Sequence, residues 1–170
     1  MKNRTEKTVV GAVIAAAYAV LSIASSVVPS VGGVFQFRIS ECLTILPVFT
    51  PAAVPGLFIG CLLSNALLGA GPYDVIFGSL ATLLGALGTY LIGKSRLKGR
   101  ELIALLPPIL ANTLIMPFVI ARVSGTPEAL PVFMLSVGIE ELINCGILGF
   151  VLLKAVKRLR LFDSSHRSVR

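Results

Sequence analysis

VVGAVIAAAYAVLSIASSVV, residues 9–28, carries no charged side chain from end to end. A helix of ~20 such residues, rising ~1.5 Å each, matches the ~30 Å hydrocarbon core of a bilayer. A basic leader, MKNRTEK, precedes it, and it ends in small residues near SIASS, which together imitate a secretory signal. The run is longer than the ~7–15 residue apolar core of such signals, and most of the chain beyond it is equally apolar. It therefore reads as a first membrane helix. Across the 170 residues, 55% are hydrophobic and 14% charged, so the chain is expected to be an all-α polytopic membrane protein, a single domain over 1–170.

Proline, glycine and charge divide the remainder. The punctuation predicts helix 2 over 39–49, helix 3 over 53–68, a turn at 69–73, and helix 4 over 74–93. Helices 5 and 6 are predicted over 101–120 and 131–153. Helix 2 is short for a span; it enters at an angle, begins earlier, or is shielded by neighbours. Lys2, Arg4 and Lys7 precede helix 1, Lys94, Arg96, Lys98 and Arg100 fill the loop between helices 4 and 5, and Lys154, Lys157, Arg158 and Arg160 come after helix 6. Six transmembrane helices with both termini cytoplasmic place all three clusters on one side, as the positive-inside rule expects. The net charge of +7 is then topological, and nucleic acid is not an expected partner. The expected setting is a bacterial cytoplasmic membrane, crossed several times.

Four of the eight acids need no explanation: Glu6, Glu101, Glu128 and Asp163 lie in tails, loops or helix ends. Glu41, Asp74, Glu140 and Glu141 all fall in the outer half of the expected bundle. An ionised group near the bilayer centre costs about 2.5–3.5 kcal/mol on insertion scales, so such residues persist where they face a cavity or a partner. Asn65 and Asn144 lie at comparable depth. Ser136, Glu140 and Asn144 recur every four residues and share one helical face, whereas Glu141 is rotated by about 100°. Glu140 is thus favoured over Glu141 for an outward-open cavity. Structural alternatives stand beside this: an Arg38–Glu41 ion pair, Asp74 as a helix cap, and Asn65 and Asn144 as interhelical hydrogen bonds. Asn112 can satisfy backbone freed by Pro108 or Pro117.

Other chemistries find less support. GTYLIGKS, residues 88–95, fits G-x-x-x-x-G-K-S, yet its middle is the apolar end of a membrane helix rather than an open glycine loop after a strand. The single histidine, His166, is in the tail, and neither a zinc-peptidase pattern nor a G-x-S-x-G elbow occurs. Cys42, Cys61 and Cys145 are far apart in apolar runs and are expected to pack as small hydrophobes, with no metal site. Helix 1 repeats small residues at intervals of four: Ala12 with Ala16, Ala15 with Ala19, Ser22 with Ser26. Such spacing lets helix backbones approach closely, within the bundle or against a partner.

FQFRISECLTILP (35–47), GLFIGCLLSN (56–65) and DVIFGSLATLLG (74–85) resemble the QueT family, queuosine-precursor substrate-binding subunits of energy-coupling factor (ECF) transporters. The resemblance implies a small subunit that captures its ligand outside and reorients in the bilayer. A transmembrane coupling subunit and two cytoplasmic ATPase subunits are implied as partners, with ATP used by them and no cofactor in this chain. By pattern, Ala12, Ala15, Ala16 and Ala19 are implied to meet the coupling subunit. The implied ligand is a 7-deazaguanine, such as 7-aminomethyl-7-deazaguanine, or queuine. Its N1–H and exocyclic NH2 match the two oxygens of one carboxylate, and a protonated aminomethyl arm calls for a second. Glu41 or Glu140 is implied at the guanine-like edge and Asp74 at the arm. Asn65 and Asn144 would take remaining polar atoms, Arg38 would orient Glu41, and Phe35, Phe37 or Tyr73 would stack on the base. The glycine-bearing loops 29–37 and 69–73 are candidate lids. A binding subunit for folate or another pterin is the nearest alternative; a proton-coupled secondary carrier and a membrane enzyme are the other classes.

Overall fold

The structure is a computed structural model that describes residues 4–27 and 37–159. Among these, six helical stretches succeed one another: α1 Arg4–Ser26, α2 Ile39–Val48, α3 Ala53–Leu67, α4 Asp74–Lys94, α5 Arg100–Ser124 and α6 Pro127–Leu159. The all-helical expectation is met. Of the six, α1, α4, α5 and α6, at 23, 21, 25 and 33 residues, are long and apolar enough to cross a bilayer alone, whereas α2 and α3 are shorter. The difference from six full spans lies in the length of this pair.

Neighbouring helices pack in the order α1 on α3, α3 on α4, α4 on α5 and α5 on α6, with α2 surrounded by the others. Small residues set the closest crossing. A Cβ added to Gly56 would stand 2.6 Å from the Gly11 carbonyl oxygen, and one on Gly60 would stand 2.8 Å from both the Ala15 oxygen and the Tyr18 Cβ. Gly11 and Ala15 thus run alongside Gly56 and Gly60, a small-xxx-small pair that brings α1 and α3 into backbone contact. Gly85 and Gly88 likewise admit Pro108 and Pro107 of α5, each at 2.6 Å from the added Cβ. There Gly88, first letter of the nucleotide-loop look-alike, sits in a helix that continues to Lys94.

α2 is unusual. Seven of its residues are buried, from Ser40 and Glu41 through Leu43 to Pro47, and it is a ten-residue 310 helix, where runs beyond 3–4 residues are uncommon. Three residues per turn give it three rows of side chains. Leu43 and Leu46 join Ile14, Tyr18, Leu57 and Cys61 of α1 and α3. Ile45 joins Ala104, Leu105 and Leu153 of α5 and α6. Glu41 and Thr44 form the third row. Shielding by neighbours is therefore how a short helix is accommodated here.

The bundle has two chemically distinct ends. At one, the Ser25 hydroxyl accepts the Ile39 N–H at 3.1 Å and the Asn65 amide reaches the Asp74 carbonyl. At the other, Lys157 of α6 pairs with Glu101 at the start of α5, and Lys94 and Lys154 lie over the Tyr90 and Phe150 rings at 4.5 and 4.4 Å. The basic residues at the end of α4, the start of α5 and the end of α6 thus share an end, as charge patterning leads one to expect.

Candidate ligand-binding site

Glu41 is 2% exposed and sits on the inner row of α2. The Tyr18 hydroxyl of α1 donates a short hydrogen bond to its Oε1, while its Oε2 is buried with no hydrogen-bond partner. A carboxylate taken from water carries a penalty of several kcal/mol, so one left with a bare oxygen is poised to receive a donor. Tyr18 itself is fully buried, and a Cβ at position 60 would stand 2.8 Å from its own Cβ.

Beside Glu41 stand Glu141 and Cys145 of α6, both buried. The Cys145 thiol donates to Glu141 Oε2 at 3.0 Å, and its sulfur lies 3.4 Å from the Thr44 hydroxyl and 3.5 Å from the Glu41 carbonyl oxygen. One oxygen from each carboxylate and the Cys145 sulfur lie within 4.8 Å of one another. Just after Glu141 the helix widens into a π-type turn over Leu142–Leu148. Glu141 and Cys145, four residues apart, share a helical face and turn inward together. Glu140 and Asn144 remain buried on the adjoining row, and neither polar atom of the Asn144 amide has a hydrogen-bond partner. Both acids are inside, Glu140 favoured by the sequence for the cavity and Glu141 the one grouped with Glu41.

Arg38 is also placed differently from its expected partner. Its guanidinium donates from Nη2 to the Asn65 Oδ1 rather than to the Glu41 carboxylate. Arg38 therefore does not clamp Glu41, although Glu41 and Glu141 lie within its electrostatic reach. The other side of the Asn65 amide donates to the Asp74 backbone oxygen at 3.3 Å and approaches Cys61 Sγ at 3.5 Å. Gly69, at φ +70°, allows Ala70 to return its N–H to the Asn65 carbonyl at 2.9 Å, closing α3 with the left-handed residue such an ending requires. Asn65 thus ties the ends of α3, α4 and the entry to α2.

Asp74 opens a second π-type turn, over Asp74–Gly78, and no side chain caps this start of α4. Its carboxylate is half-buried near Gly71 rather than in the Glu41–Glu141 cluster. Tyr73, 51% exposed, stacks on Phe77 at 6.4 Å with an interplanar angle of 8° on the outside of α4. Phe37 is half-buried, and Phe35 lies outside the described residues, as does most of the 29–37 loop. Asn112 is buried on α5 beside Glu141 rather than serving only the helix backbone. Of the α1 alanines, Ala15 is buried against α3, whereas Ala12 and Ala16 are exposed and Ala19 is intermediate.

A sequence profile of the QueT transporter family matches residues 8–158, taking in every element of this site. The chain belongs to the QueT transporter family. Over 83 residues it is 35% identical to the Queuosine precursor transporter QueT of Lactococcus lactis subsp. cremoris (strain MG1363). That match spans 49% of this chain and 48% of the relative, about half the length of each. No solved structure gives a significant match. With its long apolar helices, this QueT-family chain is a multi-pass protein of the cell membrane.

Tyr18, Thr44 and Cys145 complete the buried site beyond the candidate binding residues of the sequence. Tyr18 carries a signal, as a lone phenol in a helix otherwise made of small and aliphatic residues. Cys145 lies four residues after Glu141 and so shares its helical face, a spacing visible in the sequence.

Proposed function

We propose that this protein is the membrane substrate-binding subunit of an ECF-type transporter and captures a queuosine precursor of the 7-deazaguanine class. The observation that carries the reading is Glu41, a buried carboxylate anchored at one oxygen and unsatisfied at the other, inside a QueT-family bundle. A guanine-like edge presents adjacent N1–H and NH2 donors, which a carboxylate can accept together. Asn144, with both amide atoms buried and unpartnered, supplies a donor and an acceptor to the same ligand. The relative's printed name supports the queuosine precursor over a pterin. Energy for uptake comes from a coupling subunit and two ATPase subunits, and no cofactor is needed in this chain. The membrane face with the basic clusters is cytoplasmic, so Arg38, Asn65 and Asp74 mark the outer mouth.

The test is thermal shift of the purified subunit against deazapurines, guanine, folate and a reduced pterin. Stabilisation by deazaguanines alone is expected; stabilisation by a pterin and not by a deazaguanine would move the protein to the alternative ligand class.

The outward stripe on α1 suits the coupling subunit. Ala12 and Ala16 lie exposed beside Val9, Val13 and Val20, so a second helix can approach the backbone there. Ala16→Leu is expected to abolish co-purification with the coupling and ATPase subunits while ligand-induced stabilisation persists. Undiminished co-purification with Ala16→Leu would place the contact elsewhere.

A further inference from the structure

Asn144 is 0% exposed, and neither its Oδ1 nor its Nδ2 has a hydrogen-bond partner. Other buried polar side chains of the bundle are spent on the fold. The Ser79, Thr82 and Thr89 hydroxyls donate to the Val75, Gly78 and Ala104 carbonyl oxygens at 2.6, 3.0 and 2.8 Å, and Asn65 uses both sides of its amide. Asn144 alone among the described residues leaves both a buried donor and a buried acceptor unmet. Such a group opposes folding, and its persistence calls for a partner that the bundle itself does not supply. It stands next in the chain to Cys145, whose sulfur lies within 4.8 Å of a Glu41 carboxylate oxygen, so the part of α6 that carries the amide runs beside Glu41.

We propose that Asn144 reads the N3 and N9–H edge of the base, so that the site takes a free 7-deazaguanine and rejects one substituted at N9, as in a nucleoside. This rests on the deazaguanine reading and deepens it. With N1–H and the exocyclic NH2 given to Glu41, the next side of the same ring system presents N3, an acceptor, beside N9–H, a donor. A primary amide holds a donor and an acceptor side by side in one plane, the complement of such a pair, as when asparagine reads an adenine edge. Asn144 Nδ2 then donates to N3, and Oδ1 accepts from N9–H. The two contacts use neighbouring sides of one flat, rigid base, so neither competes with the other, and they come from different helices, α2 and α6. Glu41 cannot supply this discrimination, because N1–H and NH2 are the same in base and nucleoside. A substituent at N9 removes the hydrogen that Oδ1 accepts and sets a carbon against it.

The probes are 7-deazaguanine and its 9-methyl derivative, which keeps N1–H, NH2 and N3. Titration calorimetry on the purified protein is expected to show the free base binding at least ~10-fold more tightly, since the methyl group leaves Oδ1 buried without a donor. In Asn144→Leu, of similar size, this ratio is expected to fall towards one, chiefly by weakening of the free base. Without ligand, the same variant is expected to unfold at the wild-type temperature or above it, because leucine removes a buried donor and acceptor that the fold does not use. A preference for the free base that Asn144→Leu leaves unchanged belongs to the packing around N9 and overturns the assignment, as does equal binding of both probes to the wild type. Either result leaves the deazaguanine reading standing. An Asn144→Leu protein that melts below the wild type without ligand, or does not fold, gives the amide to the structure and likewise overturns the assignment. Failure of both probes to bind the wild type overturns both readings.

Discussion

Glu41→Gln is expected to lower affinity for a 7-deazaguanine by ~100-fold or more while leaving the bundle folded. The two halves of that expectation come from the two oxygens. Glutamine keeps a carbonyl oxygen that can still accept the Tyr18 hydroxyl, so the anchor between α1 and α2 survives. The other position becomes an NH2 group, which would confront the ligand's own donors instead of accepting them. Removing one partner of a buried, hydrogen-bonded charged contact typically costs about 2–5 kcal/mol, which brackets that loss. A melting temperature close to that of the wild type together with undiminished affinity would remove Glu41 from the ligand. A collapse of the fold would instead assign it to the structure.

The second large effect is structural. Gly60→Val is expected to destabilise the protein by about 3 kcal/mol or to prevent its accumulation, because even the first added carbon would stand 2.8 Å from the Ala15 carbonyl and from the Tyr18 Cβ. Overpacking a tight contact costs about 1–3 kcal/mol, and here one of the opposing groups is backbone that cannot rotate away. Separating α1 from α3 also withdraws Tyr18 from Glu41, so any folded Gly60→Val protein should bind ligand more weakly. The control is Ala66→Val, further along the same helix, where α3 is exposed and little change in thermal unfolding is expected. Equal stability of both variants would show that the close crossing does not hold the bundle.

The helices were legible because bilayer thickness imposes length and the absence of charge is easy to see; Arg4–Ser26 and Asp74–Lys94 extend the sequence-based bounds by only a few residues at one end. Glu41, Asn65 and Asn144 were legible for the same reason, as polar groups in apolar stretches. What could not be seen was anything that depends on contacts between helices or on departure from 3.6 residues per turn. Glu141, not the favoured Glu140, is grouped with Glu41 through contacts across α2 and α6, and the 310 winding of Ile39–Val48 gives α2 three rows of side chains. The Arg38–Glu41 spacing suggests an ion pair because sequence shows proximity along the chain. Asn65, 27 residues away, becomes the closer partner only when α3 is folded against the entry to α2. Similarly, the alanine stripe on α1 wraps enough of the helix to serve both sides. Ala15 faces the Gly60 backbone inside, while Ala12 and Ala16 face outward.

The most direct measurement is a structure of the subunit bound to 7-aminomethyl-7-deazaguanine. Its N1–H and NH2 edge should meet Glu41, enclosed by α1, α2 and α6. Density for the base lodged outside the bundle, beside Tyr73 and Asp74 with Glu41 untouched, would contradict the account.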